Sequence, residues 1–179
     1  MKQLKVLTAS FLALLLFTLS QCKKKTEEPQ LPPETTTGAM TFGCKVNGKV
    51  FVPKDSRGRP GLYVQYVYLG SGEGGGWFLN IPANDWTNRD VPSMRIETDS
   101  LLVLENASYS MIRNQKGFPY ASFSSGSNQF QMLSTDTGLL IINKHNQILR
   151  ILSGEFWFTA TSSNGEKISV TDGRFDIHY

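Results

Sequence analysis

Apolar and polar residues alternate in short runs along most of this chain, and turn residues interrupt the runs roughly every eight to fifteen positions. A period of two in runs rich in Val, Ile, Phe, Tyr and Trp predicts β-strands. No long amphipathic helical pattern develops. Strands are expected over residues 41–46, 50–53, 62–69, 77–81, 94–98, 101–104, 109–112, 120–123, 139–143, 147–152, 154–160 and 167–171, with 99–106 alternatively forming a helical turn. Parity then constrains the loops. Phe42, Cys44 and Val46 share even numbering with Val50 and Val52, so one buried face needs an odd loop such as Asn47-Gly48-Lys49 with a bulge. Phe156, Phe158 and Ala160 need the same toward Ile168 and Val170, and Asn164-Gly165 suits it. The polar triplet Lys144-His145-Asn146 reads as a turn, and Gly173 as a bulge before Phe175 and Ile177. The architecture expected is all-β: an antiparallel β-sandwich or a barrel-like meander.

One stretch breaks the pattern. Lys2 and Lys5 precede an apolar run over residues 6–19, too short to span a bilayer but suited to a signal peptide. It ends in Leu19-Ser20-Gln21-Cys22, which resembles the lipobox of bacterial lipoproteins, with Gln21 in place of the usual Gly or Ala. That resemblance implies removal of residues 1–21 and a lipid on Cys22, hence attachment to a membrane as an outer membrane lipoprotein on the periplasmic or cell-surface side. Residues 26–37 carry three prolines and nothing to bury, so residues 22–37 are expected to form a flexible tether. A single domain is expected over residues 38–179.

Composition narrows the choice. Charged residues make up 18% of the chain and aromatics 11%, which excludes a coiled coil and a wholly disordered protein. The net charge of +3 includes Lys2 and Lys5; without residues 1–21 it is +1, and no basic stripe is left to bind nucleic acid. With Cys22 lipidated, Cys44 has no disulfide partner, and its position between Phe42 and Val46 suits a buried thiol acting as a small hydrophobe.

The segments 41–53 (Thr-Phe-Gly-Cys-Lys-Val-Asn-Gly-Lys-Val-Phe-Val-Pro), 153–158 (Ser-Gly-Glu-Phe-Trp-Phe) and 171–176 (Thr-Asp-Gly-Arg-Phe-Asp) together resemble a family of small lipoproteins from Bacteroidota that carries a domain of unknown function. The resemblance covers both ends of the domain and not residues 54–130. It implies an all-β envelope lipoprotein and supplies no activity.

Chemical signatures are sparse. A Ser or Cys nucleophile needs a base, and His145 and His178 stand in a turn and at the penultimate position, with no Gly-x-Ser-x-Gly elbow. No metal-ligand spacing occurs, and no cofactor is implied. Glu97, Glu105, Asp136, Glu155, Asp172 and Asp176 leave a carboxylate-dependent hydrolase as a minor reading. Asn84 to Asp90 holds oxygen ligands without the spacing of a calcium loop, and Gly70 to Gly76 is a hairpin tip without the features of a phosphate cradle. Asp99-Ser100-Leu101 fits a short O-glycosylation pattern at Ser100. The stronger constellation is aromatic: Tyr63, Trp77 and Trp86, with Tyr66, Tyr68 and Phe78, offer flat apolar area beside Asn and Asp. The expected function is a non-enzymatic binding module for a glycan, peptide or other ligand. The alternative is a structural or accessory subunit that recognises another envelope protein through a sheet edge or exposed patch.

Overall fold

The computed structural model describes residues 29–179; the expected signal peptide and Cys22 lie outside the described residues. Eleven strands form: β1 (Thr41–Val46), β2 (Lys49–Phe51), β3 (Gln65–Tyr68), β4 (Trp77–Asn84), β5 (Ser93–Thr98), β6 (Ala107–Met111), β7 (Pro119–Ser125), β8 (Asn128–Gln131), β9 (Gly138–Asn146), β10 (Ile151–Ser162) and β11 (Lys167–His178). Strand pairs are antiparallel, so the all-β expectation holds. One sheet runs β2-β1-β11-β10-β8-β7-β5-β4-β3 and branches at β10. The first two thirds of β10 pairs with β9, which pairs with β6, whereas Thr161 and Ser162 pair with β8. The long β10 thus passes from one layer to the other. Phe51 of β2 meets Phe123 of β7 with ring centroids 6.2 Å apart, so the sheet is folded over a common core while β2 and β3 remain edges. An open, folded sheet takes the place of the choice between a sandwich and a closed barrel.

The hairpins show how local chemistry decides register. Asn47 (φ 48°) and Gly48 (φ 79°) form a two-residue turn of the mirror-image type that Asn-Gly favours, pairing Val46 with Lys49 and Cys44 with Phe51. The expected odd loop is therefore wrong here: Phe51 faces the core, and Val50 does not share a face with Cys44. At the other hairpin the expectation holds. Ser162 and Glu166 enclose three residues, Gly165 takes φ +85°, and Ala160 pairs with Ile168 and Phe158 with Val170.

Other boundaries move for tertiary reasons. Lys144, His145 and Asn146 belong to β9, and the turn lies at 147–150. Residues 101–104 form no strand and no helix; Leu101 N donates to Trp77 O and Val103 N to the Tyr66 hydroxyl. β4 continues through Pro82 to Asn84, because the missing N–H falls on the β3 side, where Pro82 still accepts a bond from Tyr63 N. The β11 bulge lies at 171–173, but Asp172 (φ 53°) takes the left-handed conformation. Gly173 instead makes room for Phe156, whose ring a Cβ would strike.

The chain before β1 is part of the fold. Residues 31–39 cross the outer face of β1 and β11, with Pro32 on Gly43, where a Cβ would come within 2.6 Å of Pro32 Cδ. Arg174 reaches Glu34 at 3.2 Å. Asp176, only 1% exposed, accepts bonds from Thr35 Oγ1 (2.7 Å), Thr37 N (2.9 Å), Gly38 N (2.7 Å) and Ala39 N (3.2 Å). The C-terminal part of the expected tether, residues 31–37, is therefore docked, and the folded unit begins before Gly38.

Candidate functional site

β4 holds Trp77 at one end, and Trp86 lies just beyond the other, roughly 24 Å of strand away. Tyr63 lies on the outward-facing side of the sheet, opposite in parity to Tyr66 and Tyr68. The three residues singled out from the sequence are thus not gathered into one site. Trp86 is half-buried: its Nε1 donates to Pro60 O at 2.8 Å, and the Arg59 guanidinium sits 5.2 Å from its ring centre. Trp157, on β10, is the most exposed tryptophan at 44%.

Trp77 is the centre of a built aromatic cluster. Tyr66 stacks on it with centroids 4.8 Å apart and planes at 22°, and Tyr68 lies at 5.3 Å and 40°. The β3–β4 pairing forces this, because Tyr66 opposes Leu79 and Tyr68 opposes Trp77 on one face of the ladder. Tyr66 also meets Tyr179 and His145 edge-on, each at 5.2 Å. The His145 Nδ1 lies 2.8 Å from the Val103 carbonyl, which can only accept, so in the neutral ring Nδ1 carries the proton and Nε2 accepts from the Tyr179 hydroxyl at 3.0 Å. Both ring nitrogens are occupied, which makes His145 a bridge between chain segments. Burial pushes the Tyr66 hydroxyl up to about 12, with only partial relief from the Val103 amide. Beside this cluster runs a groove of about 480 Å³ lined by Val64, Tyr66, Trp77, Gln147, Arg150 and Tyr179. Sequence reasoning found its β3 and β4 residues and missed His145, Arg150 and Tyr179. No local signal marks those three, because folding brings them from the far end of the chain.

A second, larger groove of about 570 Å³ lies at the opposite end, with Phe51, Phe123 and Phe130 on its floor and Lys54, Asp85 and Glu166 among its polar residues. The loop after β4 is held by its own side chains: Asp85 accepts from Thr87 N at 3.0 Å and pairs with Lys54 at 3.4 Å, and Asn88 accepts from Asp90 N at 3.0 Å. Among the described residues no group of three or more His, Cys, Asp or Glu side chains is placed to hold a metal ion.

The carboxylates singled out from the sequence are dispersed and engaged. Asp136 accepts from Leu133 N, Thr159 and Thr161; Glu105 from His145 N and Lys144; Glu155 from Asn143; Asp172 from Thr171. Burial raises the Glu97 carboxyl above its ordinary value despite Arg95 and Tyr120 beside it. The Ser100 hydroxyl donates to the Gly75 carbonyl beneath the glycine-rich tip, so a glycan on that oxygen would have to displace this bond. Cys44 is fully buried, and burial pushes its thiol up to about 12. It should therefore resist iodoacetamide at pH 8 in the folded protein and react on unfolding, as intact-mass measurement with and without urea will show.

No protein-family model, curated protein or solved structure matches this chain.

Proposed function

We propose that this protein is a non-enzymatic binding module, tethered to the outer membrane by lipid on Cys22 and exposed on the periplasmic or cell-surface side. The leader ending in Leu19-Ser20-Gln21-Cys22 and the resemblance to small Bacteroidota lipoproteins support the tether and the address. The ligand site in this reading is the groove at the β3 end of the sheet. The observation that carries it is the Trp77 stack: a half-buried indole packed by Tyr66 and Tyr68 beside a groove with Gln147 and Arg150 on its other wall. Flat aromatic area with a few orienting polar groups suits a sugar ring or an apolar peptide side chain.

The test is thermal melting against a panel of envelope polysaccharides, peptides and metal ions. A ligand at 100 times its dissociation constant adds about 2.7 kcal/mol, which in a domain of this size raises the melting temperature by roughly 5–10 °C. Trp77→Ala should abolish that shift and Trp86→Ala should leave it. A shift that survives Trp77→Ala would move the site elsewhere.

An accessory role toward another envelope protein is the second reading. It is favoured by the β9–β10 turn, where Ile148 is 93% exposed beside the exposed Leu149. Apolar residues at a hairpin tip gain nothing from water and suit a protein partner. Ile148→Ser should then release such a partner from mildly solubilised membranes without altering the melting temperature.

A further inference from the structure

From Leu62 to Leu69 the chain holds no Lys, Arg, Asp, Glu or Pro, the residues by which natural sheets keep an edge from pairing. The backbone polarity of this edge is ordered. Tyr63 N donates to Pro82 O at 3.1 Å and Leu69 N to Gly76 O at 2.9 Å, with Gln65 opposite Asn80 and Val67 opposite Phe78 between them. The odd residues therefore direct their N–H and C=O toward β4, and those of Val64, Tyr66 and Tyr68 point away from the sheet. Three donors and three acceptors stand in a row beside the last strand. The outward side chains between them are exposed: Tyr63 by 49%, Val67 by 40% and Leu69 by 62%.

We propose that this edge pairs with the same edge of a second copy of the chain, antiparallel, about a two-fold axis at Tyr66. Only an extended polypeptide backbone presents donors and acceptors at this spacing. The two-fold arrangement sets Tyr66 opposite itself and Val64 opposite the Tyr68 of the second copy, so all six free groups on each edge find partners. In this register Tyr66 meets its own copy and Gln65 meets Val67 of the second copy, so a charge at or next to the axis would be brought close to its symmetry mate. This run, having no charge, escapes that penalty. The same register places Tyr63 opposite the exposed Leu69 of the second copy, an aromatic–aliphatic cross-strand pair. The added strand would run along the groove that Val64, Gln65, Tyr66 and Val67 line, so pairing of two copies and ligand binding there compete. The two aromatic clusters then flank one continuous sheet.

Disulfide capture in the full-length, membrane-inserted protein tests this. In the proposed register residues 63 and 69 of two copies are directly opposed, with Cβ atoms about 4.5–5.5 Å apart, close enough to bridge; within one copy they are about 20 Å apart. Tyr63→Cys with Leu69→Cys should give, on mild oxidation, a band at twice the chain mass. Val64→Pro removes an outward N–H that β4 does not use, and should weaken that band at least tenfold while the protein keeps its β-sheet circular dichroism. If Val64→Pro does not fold, the exposed pair Gln65→Lys and Val67→Lys sets lysine opposite lysine across the axis and should do the same. No dimer band, a band indifferent to both changes, or a bridge only to a different protein would overturn the proposal.

Discussion

Replacing Asp176 by alanine is expected to lower the melting temperature by about 10 °C, corresponding to a loss of about 3 kcal/mol. The side chain stands on the outer face of β11, where an aspartate would ordinarily be solvated. It is buried because residues 31–39 fold over it and aim two hydroxyls and three backbone N–H groups at its oxygens. Removing the carboxylate leaves those donors facing an apolar gap, and with them the attachment of the segment that leads toward Cys22. A chain that begins at Gly38 should lose comparable stability, and Asp176→Ala in that shortened chain should cost little more. The pair of changes would be strongly non-additive, as expected of groups in one hydrogen-bond network. Additive losses would show that the segment and the carboxylate act separately.

The same site sets a pH dependence. Burial alone would raise the Asp176 carboxyl, but the bonds from Thr35, Thr37, Gly38 and Ala39 outweigh it and hold the group below its ordinary value. A carboxyl lowered on folding stabilises at every pH above its unfolded value of about 3.9, and that contribution fades as pH falls toward the folded value. The gap in melting temperature between the native chain and Asp176→Asn should therefore be constant from pH 7 to pH 5 and narrow below pH 4. A gap that widens in acid would contradict the hydrogen-bonded carboxylate.

Gly154→Ala is expected to be at least as damaging, costing about 3 kcal/mol or more and leaving little folded protein at 37 °C. Gly154 lies in β10 where the register against β9 shifts, and an added Cβ would run into the Ile141 carbonyl oxygen and the Phe175 ring. The obstacle is partly backbone, which cannot rotate away as a flexible side chain can. Gly72→Ala, in the tip between β3 and β4, meets nothing within 4 Å and should change stability by no more than about 0.5 kcal/mol. Comparing the two by urea denaturation separates a crowding effect from any general intolerance of alanine at glycine positions.

Much of the candidate site was legible along the chain. Tyr66, Tyr68 and Trp77 flank a glycine-rich tip, so pairing of the runs around it was enough to stack them. Trp86 could not be placed, because a strand through Pro82 reads as one ending at Ile81, and the extra residues carry Trp86 to the far end of the sheet. Whether Tyr63 or Tyr66 faces inward stayed open along the chain, because a run apolar on both faces does not declare which face is buried; the fold buries Tyr66 and exposes Tyr63. The bridge from Val103 through His145 to Tyr179 joins residues 76 positions apart, and no periodicity encodes it.

The alternation of apolar residues determined the all-β class, and Asn-Gly and Gly turns determined where most hairpins bend, because both act between neighbours a few residues apart. Register at the first hairpin was a contest between parity and turn geometry, and the strongly favoured Asn47-Gly48 turn won by turning Phe51 inward in place of Val50. Tertiary structure alone decided that β10 serves two layers, that β3 is left as an edge, and that residues 31–39 lie on Asp176. A proline-containing polar segment looks like a free spacer by composition. It docks here because a buried carboxylate on a distant strand satisfies its backbone N–H groups, and that interaction exists only once β1 and β11 are side by side.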